Sequence, residues 1–454
     1  MNNGKVYLIG AGPGDPGLLT CRAQQLLTEC DVVCYDKLVA PAILAMIPNH
    51  VQLHQMGYRG YQGGHIEYDM HPDVIKYALA GKSVARLKSG DPCIFGRTTE
   101  ECRDLKAHNI PYEIVPGITA ALGAAAYSGF PLTSGGIASS VTFVSGHQHS
   151  KTIASWGELG RSGGTLVLYM GAKKLAQHAT NLIENGRDPN TPIALISNAT
   201  RAEHSCVIGT LATISQKIAT NQLTGPALTI IGEVVSQSSE LDWRSLLPLS
   251  GRSFMLCGQY PNVDFLKQNG AQMITIDCLP ATALLNKNDL ELLVRQPELA
   301  FADLTSFQLW WQAMQDYQFD IRKFTMPIGS QSQSVRNALA KIGIISEKVS
   351  AASLMLTVEE SKTFAINERH YLVGRIDSKP LAYELPQIDW LLVDDIVIAE
   401  QILQHNPQYF ANSRIVALNR QARDWALAND YFIDHAELSG LIDDVDAYEC
   451  SHVA

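Results

Sequence analysis

Residues 6–19, VYLIGAGPGDPGLL, set the apolar run Val6 to Ile9 directly ahead of Gly10, Gly12 and Gly14. Such a run, broken at once by glycines, reads as a strand that leaves a sheet through a tight turn. The dinucleotide fingerprint G-x-G-x-x-G puts its third glycine, where a helix approaches a pyrophosphate, at the position that is Asp15 here. A carboxylate at a helix start repels a phosphate. The loop therefore suits a ligand that needs main-chain contacts and carries no phosphate.

Outward from this turn, short β-rich runs alternate with amphipathic segments. KVYLIG, DVVCYD, VQLHQ, SVARL and YEIVP read as strands of an α/β sheet, and Leu19, Ala23, Leu26, Leu27 and Cys30 form one buried helical face. A second series follows from Gly117, with strands SVTFVSG, TLVLYMG, TPIALIS, HSCVIGT and ALTIIGEVV. Residues 237–252 are polar and irregular and read as a linker. Beyond them SFMLCG, MITID, LAFADL, FTMPIG, HYLVGR, WLLVDD and RIVALN open another alternating series. The expected organisation is an α/β domain over 1–116, a second over 117–236, the linker 237–252, and a further α/β unit over 253–454.

The chain has 454 residues, 46% of them hydrophobic and 18% charged, which excludes a disordered protein. No basic segment precedes an apolar stretch at the start, and no apolar run nears the ~18 residues of a membrane span. A cytoplasmic enzyme without a membrane partner is expected. The nine cysteines form no C-x-x-C pair, and Cys30 and Cys34, flanking a strand, read as buried reduced thiols. His147 and His149 stand two apart with no further ligands near, so no metal site is expected. Residues 1–250 hold 19 Lys+Arg and 19 Asp+Glu, which leaves all ten net negative charges after residue 250. That asymmetry separates units with different partners and, with no basic tract among aromatics, excludes nucleic acid.

Two GDP triplets, Gly14 to Pro16 and Gly90 to Pro92, each stand between a strand and a helix. Asp-Pro is a preferred helix-capping pair. Both triplets also fall at carboxyl ends of parallel strands, where open α/β sheets bind ligands. Asp36 closes the second strand, in a position that suits either a grip on a ribose hydroxyl or a general base. Arg59, Arg86, Lys88 and Arg97 would suit a ligand bearing carboxylates, and taken singly each reads as a solvated surface charge. Met170 in YMG reads as core, or as a thioether packed on an adenine ring.

Together VYLIGAGPGDPGLLT, CDVVCYDKLV, RLKSGDPCIFGRTTEE, IPYEIVPGITAALGAAAYSGFPLT, ASSVTFVSGH, LVLYMG and GPALTIIGEVV resemble the tetrapyrrole methylases, and among them the uroporphyrinogen-III C-methyltransferases. The resemblance runs in family order over residues 5 to 235. It implies a two-domain methylase fold, a homodimer, and S-adenosylmethionine as cofactor with S-adenosylhomocysteine as product. Cofactor contacts are implied for Pro13, Ser89, Gly90, Asp91, Ile94, Thr119, Ala120, Met170, Ala199 and Ala227, and substrate contacts for Arg59, Arg97 and Glu100. Asp36 takes the place of the proton acceptor. The family's GKRAG is GYRGY from Gly57, so Tyr58 replaces a lysine proton donor; its PLTHRDYAQS is PLTSGGIASS, with Gly135 replacing an arginine; and its NGT becomes NAT, with Ala199 replacing a glycine.

The remainder resembles a diverged uroporphyrinogen-III synthase, through FLKQNGAQMITID, FADLTSFQLWWQAM, MPIGSQSQSVRNALAKIGI and IDWLLVDDIVIAEQIL. That family has two α/β lobes, the chain crossing to the second and returning, and Tyr383 is carried over as a helper of hydroxyl departure. The implied function is methylation of uroporphyrinogen III to precorrin-2, in sirohaem or cobalamin synthesis, fused to ring closure of a linear tetrapyrrole. The alternative is a methylase of a later corrinoid with a non-catalytic C-terminal module.

Overall fold

A computed structural model describes residues 3–56, 69–146, 156–219, 224–260, 263–276, 281–346, 349–350, 353–358, 369–376 and 381–431. Two compact units emerge, Met1–Ile47 with Val51–Gly251, and Pro48–His50 with Arg252–Ala454. In the first unit β1 (Val6–Gly10), β2 (Val32–Tyr35), β3 (Gln52–Gln55), β4 (Val84–Lys88) and β5 (Tyr112–Val115) form an all-parallel sheet in the order β3-β2-β4-β1-β5. Helices Pro72–Leu79 and Thr98–Ala107 cover one face, packing Val74, Ala78, Cys102 and Leu105 on Val6, Leu8, Val32 and Val84. Cys30 and Cys34 are buried and free, and burial pushes both thiols up to about 12, so they are inert packing groups.

The second sheet of this unit holds β6 (Val141–Ser145), β7 (Thr165–Tyr169), β8 (Pro192–Ser197), β9 (Ser205–Thr210) and β10 (Ala227–Ile231), ordered β6-β7-β10-β8-β9. Only β6 and β7 are parallel; β10 runs antiparallel to both its neighbours, and β8 and β9 form a hairpin. The short connection explains why no long helix fits between those last strands. Residues 237–252, read as a linker, instead form short helical turns at Ser238–Leu241 and Arg244–Leu246 held on the first unit. Trp243 Nε1 donates to the Ala126 carbonyl at 2.8 Å, and its ring meets that of Tyr127 edge-on at 5.3 Å.

In the second unit β11 (Ser253–Cys257) and β12 (Gln272–Ile276) begin one sheet. The chain then crosses to β13 (Ala281–Ala283), β14 (Leu299–Phe301), β15 (Ile328–Ser330), β16 (Leu354–Val358) and β17 (His370–Ile376). It returns with β18 (Trp390–Val393) and β19 (Arg414–Ala417) to complete the first lobe as β12-β11-β18-β19, the second lobe being β13-β17-β16-β14-β15. This is the crossing and return expected from the sequence. β13 and β16 are additions to the expected strands.

Two acids at the end of β18 tie the lobes together. Asp395 caps helix Ile396–His405 through Val397 N–H at 2.9 Å, and its second oxygen accepts from Leu304 N–H at 3.2 Å, at the start of a helix in the other lobe. Asp394 accepts from the Ser334 hydroxyl of that lobe and from Asn419 Nδ2 at 3.0 Å. Burial, with the Asp395 charge alongside, pushes the Asp394 carboxyl up to about 6 against those two hydrogen bonds. The folded chain thus keeps this proton to a higher pH than the unfolded chain, so its contribution is full below pH ~4 and is lost as pH rises through about 6. Asp394→Asn, which can still accept from Asn419 and can donate to Ser334, should raise the melting temperature above pH ~7 and leave it unchanged near pH ~4. Thermal melts of the full chain at both values check this; equal shifts would exonerate the charge.

Candidate functional site

The site grows from the carboxyl ends of β1, β4 and β5, where parallel strands open a crevice. Ala11 N–H donates to the Lys88 carbonyl at 2.7 Å, and Gly12 and Gly90 exchange both main-chain hydrogen bonds at 3.1 and 2.8 Å. The loop after β5 closes on the same point: a Cβ at Gly117 would lie 2.4 Å from the Gly90 carbonyl oxygen and 2.8 Å from Gly10 Cα. Three chain segments therefore touch main chain to main chain, which only residues without a Cβ permit.

Both aspartates of the GDP triplets brace this junction. Asp15 accepts from Gly17 N–H at 2.7 Å and from the Tyr127 hydroxyl. Asp91 accepts from Cys93 N–H at 2.8 Å and from Gly117 N–H at 2.9 Å, so one carboxylate joins the loops after β4 and β5. The capping reading holds for Asp15, which caps the short helical turn Pro16–Leu18, and fails for Asp91, which closes a turn at Cys93 while the next helix, Thr98–Ala107, starts from Arg97. Both Asp91 oxygens accept from main chain.

The second sheet supplies the other wall. Pro13 is buried against Gly123 of helix Ala120–Tyr127, and Asp15 N–H donates to Thr200 Oγ1 at 3.0 Å. Gly14 lies against the Ala199 carbonyl, and Ala227 pairs with Ser197 at the end of β8. The Tyr169 hydroxyl bonds Thr119 Oγ1 at 2.7 Å and accepts from Ala121 N–H at 3.1 Å; burial pushes its pKa up, so it remains a phenol. Met170, next along, is 54% exposed, because left-handed backbone (φ 56°) turns it out of the sheet. The core reading of this methionine does not hold. Phe95 is also exposed and stands 5.1 Å from the Tyr169 ring.

Among the described residues, Phe95, Arg97, Met170, Asn198 and Thr200 all adopt positive φ, and all belong to this region. For a β-branched residue such as Thr200 (φ 68°) this is strained, and such strain concentrates at functional sites. The structure thus brings Pro13, Gly90, Asp91, Thr119, Ala120, Met170, Ala199 and Ala227 around one junction, with Ser89 on its exposed rim and Ile94 in a turn closed on the Asp91 carbonyl at 3.2 Å. Arg97 is exposed and Glu100 half-buried at the start of helix Thr98–Ala107. Tyr383 lies in the second unit, between β17 and β18. Tyr58, Arg59, His147 and His149 lie outside the described residues, among which no cluster could hold a metal ion.

Asp36 follows β2, beside β4. Here the sequence reading of Arg86 and Lys88 needs correction: neither is solvated and neither is open to a ligand carboxylate. Both are 5% exposed, because Val84, Arg86 and Lys88 alternate onto the sheet face that helix Thr98–Ala107 covers. Arg86 Nη2 lies 2.7 Å from Asp36 Oδ1 and 3.3 Å from Glu101 Oε1, and Lys88 Nζ lies 2.7 Å from the same Glu101 oxygen. Burial works against the Arg86 guanidinium, yet Asp36 and Glu101 hold its pKa above the ordinary value. Burial, with Arg86 alongside, pulls the Lys88 ammonium below its ordinary value. Sequence reading missed Glu101, Tyr169 and Thr200. Two cations on one face of a buried strand do require an acid opposite them, and that was the available signal for Glu101.

The Tetrapyrrole (Corrin/Porphyrin) Methylases match residues 5–215. The siroheme synthase of Acinetobacter baylyi is 46% identical over 241 residues, 53% of this chain and 53% of that protein. This chain spans about half the length of the curated siroheme synthases it matches. The uroporphyrinogen-III C-methyltransferase of Bacillus subtilis is 34% identical over 357 residues, covering 76% of this chain and 73% of the relative, a span that must pass beyond residue 251. Among solved structures, a uroporphyrin-III C-methyl transferase from Thermus thermophilus, complexed with S-adenyl homocysteine, is 37% identical over 51% of this chain and 99% of its own, with a TM-score of 0.45. No helix among the described residues is long and apolar enough to cross a membrane.

Proposed function

Because the chain belongs to the tetrapyrrole (corrin/porphyrin) methylases, we propose that its first unit methylates carbon atoms of uroporphyrinogen III, converting it to precorrin-2 and S-adenosylmethionine to S-adenosylhomocysteine. The observation that carries this reading is the glycine junction at the strand ends, with the partly open Asp36 carboxylate one strand away. Its fit to the cofactor is chemical. The cradle offers main-chain groups, small side chains at Ala120, Ala199 and Ala227, and the exposed thioether of Met170, while both aspartates are engaged with the loops. A nucleoside without phosphate is matched by such a lining.

When bound, the cofactor supplies an electrophilic methyl group. Pro13, Ser89, Gly90, Asp91, Ile94, Thr119, Ala120, Met170, Ala199 and Ala227 hold it, and holding the reacting atoms roughly 3–3.5 Å apart in line supplies much of the rate. Asp36 accepts the proton released as the methylated macrocycle rearranges. Tyr58 acts as proton donor, and Arg59, Arg97 and Glu100 meet the substrate. The enzyme acts as a homodimer in the cytoplasm. Anaerobic incubation of the purified chain with uroporphyrinogen III and labelled S-adenosylmethionine should place two methyl groups on each macrocycle. No incorporation overturns the reading, and stronger competition by a later corrinoid would move the substrate along the sequence.

For the second unit, uroporphyrinogen-III synthase activity is supported by the two-lobed topology, with Tyr383 assisting hydroxyl departure. The buried Asp394 and Asp395 where the lobes meet favour a second reading, a binding module without chemistry, since a polycarboxylate entering there meets two acids. Hydroxymethylbilane as sole substrate separates them: ring closure to the type III isomer supports the first, none the second.

A further inference from the structure

Four charged groups meet where the end of β2, β4 and helix Thr98–Ala107 come together, Asp36, Arg86, Lys88 and Glu101, and three of them are sealed: the side chains of Arg86, Lys88 and Glu101 are 6%, 7% and 6% exposed. Asp36, at 35%, is the one that opens outward. The sealed trio carries two positive charges and one negative, so the ionised Asp36 carboxylate completes its neutrality. The geometry is a relay of contacts. Lys88, the last residue of the strand that runs into the Ser89–Asp91 loop, holds Glu101; Glu101 holds Arg86; and one guanidinium nitrogen of Arg86 reaches Asp36. Among the described residues Arg86 Nε and Glu101 Oε2 have no hydrogen-bond partner, so the Nη2 link is the means by which the buried charges reach the carboxylate.

We infer that Arg86 is a positioning residue for methyl transfer: it fixes the rotamer and approach of the Asp36 carboxylate to the macrocycle, and Glu101 and Lys88 fix Arg86 in register with the cofactor loop. The inference rests on the proposed role of Asp36. It makes no use of contact between Arg86 and substrate, which its burial forbids. A carboxylate on an exposed loop otherwise samples several rotamers, and displacement of a reacting group by about 1 Å can cost on the order of 10²-fold in rate.

The test is a cycle of variants in the full chain: Arg86→Gln, Glu101→Gln, Asp36→Asn, and Arg86→Gln combined with Asp36→Asn. Arg86→Gln should lower kcat on the order of 10²-fold with KM and S-adenosylhomocysteine affinity kept, and Glu101→Gln should lower it less. In the Asp36→Asn background, Arg86→Gln should change kcat by less than about threefold, since the effect travels through that carboxylate. Full additivity in the double variant, or a loss confined to KM, overturns the inference. Should Arg86→Gln fail to fold, Glu101→Gln in the same two backgrounds gives the same reading. A wild-type chain that transfers no methyl group defeats the proposed function itself, and is recognised before any variant is made.

Discussion

Asp36→Asn lowers the turnover of methyl transfer by about 10²–10⁴-fold, the range general acid–base catalysis contributes, while S-adenosylhomocysteine binds as before. The substitution is nearly isosteric, and the amide can turn its oxygen to Arg86 Nη2, which stands 2.7 Å from the present carboxylate. What it cannot do is accept a proton and return to an anion. The site is partly open, so the amide is not stranded without water. Single-turnover rates with uroporphyrinogen III, beside calorimetric titration with S-adenosylhomocysteine, check both halves. An unchanged rate removes Asp36 from the chemistry.

Gly117→Ala is the second large effect, and it arises from packing alone. The added methyl would stand 2.4 Å from the Gly90 carbonyl oxygen and 2.8 Å from the Gly10 Cα and carbonyl carbon. All three are main-chain atoms of strand-end loops tied by the Gly12–Gly90 bridge and by Asp91, so none can swing aside as a long side chain would. Overpacking typically costs 1–3 kcal/mol and more where the neighbours are rigid, so a loss of roughly 3 kcal/mol with failure to bind S-adenosylhomocysteine is expected. Gly135→Ala is the control, since nothing lies within 4 Å of its added methyl. Denaturant melts and calorimetry on both variants decide the matter; a Gly117→Ala chain as stable and as competent in binding as Gly135→Ala contradicts the described junction.

Most of the ten strands of the first unit were legible as compact runs rich in apolar residues stopped by glycine, proline or a charged residue, β3 (Gln52–Gln55) with Leu53 alone apolar being the exception. β13 and β16 were not. Ala281–Ala283 is three small residues paired along one edge, with no alternation to detect, while Leu354–Val358 is buried throughout and follows a run of serine and alanine without turn punctuation. Within the site, the glycine turn itself was legible from residues 10–17, because its cap, Asp15 on Gly17 N–H, is local. Arg86 and Lys88 could not be placed the same way. Their burial depends on a helix arriving from residues 98–107, and the adjacent Glu100 and Glu101 look alike in sequence although only the second faces the sheet. Charge identity is written in the chain; which charges are enclosed is settled by long-range packing.

Trp243 gives the boundary of the first unit a practical meaning. The composition changes at residue 236, yet the indole beyond it covers Tyr127, the Arg244 guanidinium lies 5.4 Å from the same ring, and the Tyr127 hydroxyl holds Asp15 in the glycine turn. Severing the chain at 236 would strip that cover and leave the phenol to water, one residue from the carboxylate that braces the turn. Severing it after Gly251 would not. Any attempt to separate the two halves, by protease or by gene, has to respect fifteen residues that look dispensable and reach the glycine turn by two steps of contact.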